Sequence, residues 1–170
     1  MAGNCQGRQE RRPKACIWTT VGLRKFKGLL GGGMVTVDGI NNARQVVGSS
    51  AAGFGWVHPY RYDHGVMVDL GTLGGTDSRA SAINEAGHVS GYSIVQGNSV
   101  HYHAFIHDGT QLKDLGTLPG GSSFAYALND ADVAVGASDV DDVQRHAVIF
   151  HDGQITDLGT LGGTSSAAQA

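Results

Sequence analysis

Apolar positions along this chain fall in short clusters instead of helical stripes. Between residues 82 and 115 they gather at 82–84, 88–93, 103–107 and 111–115, each piece rich in Val, Ile, Phe or Tyr and bounded by Gly, Asn or Asp. Pieces of that length, with β-branched and aromatic residues set between turn formers, predict strands. Asn84-Glu85-Ala86-Gly87 and His107-Asp108-Gly109 read as the hairpin turns that join them. No stretch makes a convincing amphipathic helix, so the expected fold class is all-β.

The clusters recur. Gly-Thr-Leu-Gly-Gly-Thr opens at Gly71 and again at Gly159, with Gly-Thr-Leu-Pro-Gly-Gly at Gly116 between them, at spacings of 45 and 43 residues. Asp-Leu precedes each copy, as Asp69-Leu70, Asp114-Leu115 and Asp157-Leu158. Further marks are Ile40-Asn41, Ile83-Asn84 and Leu128-Asn129, each followed by a valine-rich piece that ends at Gly48, Gly91 or Gly136. His58-Pro59-Tyr60, His103-Ala104-Phe105 and His146-Ala147-Val148 complete the set, each histidine standing 13 residues before the glycine that opens the next unit. Internal periods of this length mean repeat architectures. The units run 28–70, 71–115 and 116–158, with half-units at 14–27 and 159–170; residues 1–13 form a basic, flexible tail ahead of a single β-repeat domain over 14–170. Four short strands in such a period suit a β-propeller-like blade. Three blades are too few to close a ring, so closure stays open, with a β-sandwich or barrel as the alternative. Gly75, Gly120 and Gly163 fall in the loops between units, where positive φ or close backbone approach is expected.

Composition refines this picture. Glycine accounts for 27 of 170 residues with only 3 prolines, which fits a turn-rich folded chain better than a Pro/Gly-rich disordered one. No apolar run is long enough for a membrane helix, and the first thirty residues lack the order of a signal peptide. Residues 1–27 carry seven bases and one acid, the remainder five bases and fourteen acids. That asymmetry fits a positive end lying against a negative body, of the same molecule or of a second copy, so a homo-oligomer is among the expected states. Nucleic acid is not an expected partner, because the arm offers only Trp18 and Phe26 for stacking. Cys5 and Cys16, the only cysteines, are expected as free thiols, although pairing would close a short loop.

The combined marks Ile-Asn-x-x-Gly-x-Val-x-Gly, His103-Ala104-Phe105 and Asp-Leu-Gly-Thr-Leu-Gly-Gly resemble the HAF-repeat family of bacterial proteins, over residues 14 to 170. Lys14-Ala15-Cys16, His58-Pro59-Tyr60 and His146-Ala147-Val148 depart from its eponymous triplet. The resemblance implies an extracellular repeat protein, secreted or at the cell surface and accessible to antibodies there, with no established chemistry to carry over.

The glycine-rich strings lack the Gly-Lys-Ser/Thr and following helix of a phosphate loop, and neither Gly-x-Ser-x-Gly nor His-Glu-x-x-His occurs. His101, His103 and His107 would share one face of a strand, which could suit zinc or nickel. A flat strand nevertheless splays such side chains about 7 Å apart, and two of the three sit at repeat positions. Asp130, Asp132, Asp139, Asp141 and Asp142 could suggest calcium, but their spacing is not that of an EF-hand. Trp56, Tyr60, Tyr62, Tyr92, Tyr102, Phe105, Phe124 and Tyr126 read mainly as core, with any exposed rings forming a sugar-stacking surface. No residue is assigned as catalytic, cofactor-binding or metal-ligating. The expected function is a noncatalytic scaffold that binds protein or glycan through loops at the repeat edges; the alternative is a metal-binding or enzymatic module on the His101/His103/His107 face.

Overall fold

The computed structural model describes residues 34–53, 55–97 and 100–169, together with the backbone of three strands before them. Those three, β1 (Ala2–Cys5), β2 (Lys14–Thr19) and β3 (Gly22–Lys25), form an antiparallel sheet in the order β1-β2-β3. Three antiparallel meanders of four strands follow. The first is β4 (Gly39–Ile40), β5 (Val46–Ala51), β6 (Val57–Asp63) and β7 (Val66–Asp69). The second is β8 (Gly74–Ile83), β9 (Val89–Val95), β10 (Tyr102–His107) and β11 (Leu112–Asp114). The third is β12 (Ser123–Leu128), β13 (Ala134–Asp139), β14 (Arg145–His151) and β15 (Gln154–Asp157). A parallel bridge from Val57 to Asp77 joins the first two into one eight-stranded sheet, and the third stands as its own four-stranded sheet. The protein is all-β, without a helix among the described residues, and both sheets are open.

Two expectations need correcting. Residues 1–13 are not wholly a tail, because Ala2–Cys5 is β1, with Gly3 opposite Cys16 and Cys5 opposite Lys14. Pairing along β2 gives those backbone groups partners that a free tail would leave to water. Residues 6–13 and the side chains of Cys5 and Cys16, hence the question of thiol pairing, lie outside the described residues. β8 also begins at Gly74, well before the piece expected at 82–84, since the inter-unit loop is already extended where it meets β9. Gly75 and Gly120 do meet backbone closely: a Cβ would lie 2.5 Å from the Ile94 carbonyl oxygen and from the Asp139 carbonyl carbon, respectively. Gly163 has open space instead.

The apolar core lies between successive meanders and uses small side chains. Val47, Leu70, Ala80 and Val89 pack together between the first and second. Ala104, Ile106, Ala125, Ala134, Val148 and Phe150 do so between the second and third. Alanine on the first strands lets neighbouring backbones approach. The second strands take this further: a Cβ on Gly48, Gly91 or Gly136 would fall 2.1, 2.0 or 1.8 Å from the carbonyl oxygen of Thr36, Arg79 or Phe124. Only glycine fits there.

Asparagines tie the hairpins to one another. The side-chain oxygen of Asn41, Asn84 and Asn129 accepts the backbone N–H of Gln45 (3.0 Å), His88 (2.9 Å) and Val133 (3.0 Å), closing each turn upon itself. The side-chain amide of Asn41 donates to the Asn84 carbonyl at 3.0 Å, and that of Asn84 to the Asn129 carbonyl at 3.1 Å. A second rung lies one residue on, where Asn42 donates to the Glu85 carboxylate and the Glu85 N–H to Asp130. Asn41 and Asn84 are buried and Asn129 is exposed.

Asn84→Ala would orphan the His88 N–H and take one donor each from the Asn129 carbonyl, which keeps the Asp132 N–H, and the Asp132 carboxylate, all from the buried Asn84 side chain. A loss of about 2–4 kcal/mol is expected from urea unfolding. Asn129→Ala, at the exposed end of the ladder, is expected to cost about 1 kcal/mol. Equal losses for the two variants would contradict the ladder.

Candidate binding groove

The repeated marks resolve into one hydrogen-bonded framework. His58, His103 and His146 meet Asp69, Asp114 and Asp157 across the third and fourth strands, with Nδ1···O distances of 2.9, 2.8 and 2.9 Å. Oδ1 of each aspartate also accepts the N–H of the glycine two residues on, at 2.8 Å for Gly71 and 2.7 Å for Gly116 and Gly159. Serines satisfy the loop that follows. Ser123 Oγ accepts the Ala104 N–H at 2.8 Å and donates to the Gly116 carbonyl at 2.6 Å. Ser166 does the same for Ala147 and Gly159 at the same distances. In the first unit Pro59 has no N–H to give, and Ser78 Oγ donates to the Tyr92 carbonyl instead. Ser93 and Ser138 accept the N–H of Leu73 and Leu118, each at 2.9 Å.

The three histidines singled out in the sequence therefore have separate surroundings. His103 is held by Asp114 and His107 is buried with its Nδ1 accepting the Gly109 N–H, while His101 lies beside Ser122 Oγ at 3.3 Å. Burial, more than any neighbouring charge, lowers the affinity of His107 for a proton. Four of the five acids are likewise engaged: Asp139 pairs with Arg145 at 2.6 Å, and Asp141 accepts the N–H groups of Val143 and Gln144. Asp130 and Asp132 receive the Glu85 N–H and the Asn84 amide. Among the described residues, no group of three or more His, Cys, Asp or Glu is placed to hold a metal ion.

A different set of side chains converges where the second and third meanders meet. Tyr92 stands edge-on to Tyr102 and Phe124, with ring centroids 5.5 and 5.1 Å away. Phe124 stacks on Tyr126 at 6.2 Å, and the Arg145 guanidinium lies 4.8 Å from the Phe124 centroid. Such contacts hold the rings in place. All four rings are half-buried, whereas Tyr60, Phe105 and Phe150 are fully enclosed core. On one side of the cluster a groove of about 600 Å³ runs past Tyr102 and Phe124 to Asp139 and Arg145, rimmed by Val100, His101 and the loop Asp141–Gln144. On the other, a second hollow of about 500 Å³ is lined by Asp38, Arg79, Tyr92 and Tyr126. Burial pushes both the Tyr92 and Tyr102 hydroxyls up, with Asp77 adding to the effect at Tyr102, so both remain neutral donors in water. The Tyr102 hydroxyl reaches Asp77 at 3.4 Å. Burial raises Asp38 as well.

Of these groups, the sequence marks the four aromatics, His101 and Asp139 but not their convergence, and no motif marks Arg79, Arg145, Asp38 and Asp77. A signal for them does exist. Superposing the units puts Thr36, Arg79 and Phe124 at one place, Asp38, Ser81 and Tyr126 at another, and Val57, Tyr102 and Arg145 at a third. The asparagine, histidine, aspartate and second-strand glycine slots hold the same residue type from unit to unit, whereas these slots differ each time.

A pH effect follows from the framework pair His146–Asp157. The hydrogen bond from His146 holds the Asp157 carboxyl below its ordinary 3.8, with the Gly159 N–H assisting. A carboxyl depressed by folding contributes its full stability above that ordinary value and loses it as the pH falls through the lowered one. In urea titrations between about pH 2 and 6, the gap in midpoint between wild type and Asp157→Asn is expected to be widest at the upper end and to close towards the lower; a gap independent of pH would refute the pair's contribution.

The chain was compared with known proteins on three levels: no family model, no curated protein and no solved structure matches it.

Proposed function

We propose that this chain is a noncatalytic β-repeat scaffold whose four-stranded meanders are propeller-like blades, and that it binds a glycan at the aromatic groove between the second and third of them. One observation carries the reading. The slots of the asparagine ladder, the His–Asp pairs and the second-strand glycines are filled alike in the three meanders, while those lining the two hollows are filled differently each time, by Arg79, Tyr92, Tyr102, Phe124, Tyr126 and Arg145. Half-buried rings held by one another, beside Asp77, Asp139 and two guanidiniums, offer stacking faces together with hydrogen-bonding groups. That is the chemistry a sugar ring needs, with its apolar face and its hydroxyl rim. Mobile-tipped protein loops could use the same surface, but the planar faces favour the carbohydrate. The His-Ala-Phe and Asp-Leu-Gly-Thr-Leu-Gly-Gly marks, through their resemblance to HAF-repeat proteins, support a bacterial protein that works outside the cell or on its surface and is exposed there to antibodies.

Calorimetric titration with a panel of neutral and acidic oligosaccharides tests the reading. At least one sugar is expected to bind, and Tyr102→Ala or Tyr92→Ala is expected to weaken it by about tenfold or more, the loss of roughly 1.4 kcal/mol. Binding that ignores both substitutions, or a panel without any binder, would reject the groove as a glycan site.

A further inference from the structure

We infer that residues 165–169 are the first strand of a fourth sheet, whose second, third and fourth strands are β1, β2 and β3 of the same chain. The inference rests on reading the meanders as blades, and two incomplete pieces carry it.

The first piece is a lone first strand. Arg145 and Ser165 form a parallel bridge at the place where Val57 and Asp77 do so between the first two meanders. Beyond it, Ser166 donates its N–H to the Arg145 carbonyl at 2.8 Å and Ala168 to the Gly136 carbonyl at 3.0 Å. Ser166 Oγ makes the same two bonds as Ser123 on β12. Counting from these matches, Ala167 takes the place of Arg79 and Phe124, and Ala168 that of the buried Ala80 and Ala125. Yet Ala168 is only half-buried and Ala167 is exposed, for no second strand covers them among the described residues.

The second piece is a sheet that lacks its first strand. In the meanders, the second-strand glycine faces the third residue of the His-x-x triplet: Gly48 opposite Tyr60, Gly91 opposite Phe105, Gly136 opposite Val148. In β1 and β2 the same pairing is Gly3 opposite Cys16, within Lys14-Ala15-Cys16. β1 is thus a second strand, and it stands at the edge of its sheet, where a first strand belongs. An edge of that kind leaves a row of N–H and C=O groups open to pairing. Glycine is also the residue required there, since a Cβ on each of its three counterparts would fall about 2 Å from the carbonyl oxygen of Thr36, Arg79 or Phe124. The carbonyl that Gly3 would meet belongs to Ala167. Lys14 and Lys25 stand where the other units have histidine and aspartate, so backbone register, not that ion pair, joins the fourth sheet.

The register assigns partners. Tyr92 faces Arg79 and Ala137 faces Phe124, so Asn4 faces Ala167. In a chain with Cys5→Ser and Cys16→Ser, the pair Asn4→Cys with Ala167→Cys is expected to form a disulfide on mild oxidation, within a monomer by mass. Asn4→Cys with Gln169→Cys, displaced by two residues and about 7–8 Å away, is expected to stay reduced. Adding Gly3→Ala to the first pair should slow the cross-link by about tenfold or more, because the new methyl meets the Ala167 carbonyl. Thiols that remain reduced, a cross-link joining two chains, or a cross-link indifferent to Gly3→Ala would each overturn the inference. None of these results touches sugar binding at Tyr92 and Tyr102, so the two readings fail separately.

Discussion

The architecture depends on the way an asparagine carboxamide is divided between two hairpins. Its oxygen closes the turn to which it belongs and its amide reaches the carbonyl of the asparagine in the next unit, so Asn41, Asn84 and Asn129 stand in line. A buried carboxamide must have its partners satisfied or it costs stability. Here the requirement also fixes geometry, because one hairpin can satisfy its asparagine fully only when its neighbour lies at a set distance and register. The second rung, from Asn42 through Glu85 to Asp130, repeats that constraint one residue further along.

Close packing follows from it. The spacing brings the second-strand glycines under the carbonyls of Thr36, Arg79 and Phe124, and alanine and serine share the interior with valine, Tyr60, Phe105 and Phe150. Ser49, Ser78, Ser90, Ser93, Ser123 and Ser138 are all buried. A core of this kind gains less from apolar burial per residue than one of leucine and phenylalanine. It compensates with order, since serine hydroxyls take up the loop N–H groups of Leu73 and Leu118 and the strand N–H of Ala104 and Ala147. The Gly-Thr-Leu-Gly-Gly string and the His–Asp pairs belong to the same network. His58, His103, His146 and the glycine-rich strings thus take part in the hydrogen bonding that joins strands and loops.

The framework's uniformity leaves one face free to vary. Slots that face neither the ladder nor the serine network carry threonine, arginine or phenylalanine in turn, and on the second and third meanders they bring four aromatic rings and two guanidiniums together. Rings fixed by edge and stacking contacts keep little freedom of their own to lose.

The sequence by itself determined the all-β class, the period of the units, the hairpin turns at Asn84–Gly87 and His107–Gly109, and the absence of any run that could form a membrane helix. Each of these is a local property: strand length, turn chemistry and hydropathy act within a few residues. It also showed the histidine and the aspartate as recurring marks, but not that they touch, because their contact across 11 residues needs the register of two strands. Tertiary structure alone decided that Ala2–Cys5 is a strand, since its short, weakly apolar sequence gains its form from pairing with β2. It alone decided as well that Tyr92, Tyr102, Phe124 and Tyr126 meet at a surface while Tyr60 and Phe105 lie in the interior. All six are aromatic residues within strands or directly beside them, and alternation along a strand says which side a ring takes but not what the neighbouring sheet puts there.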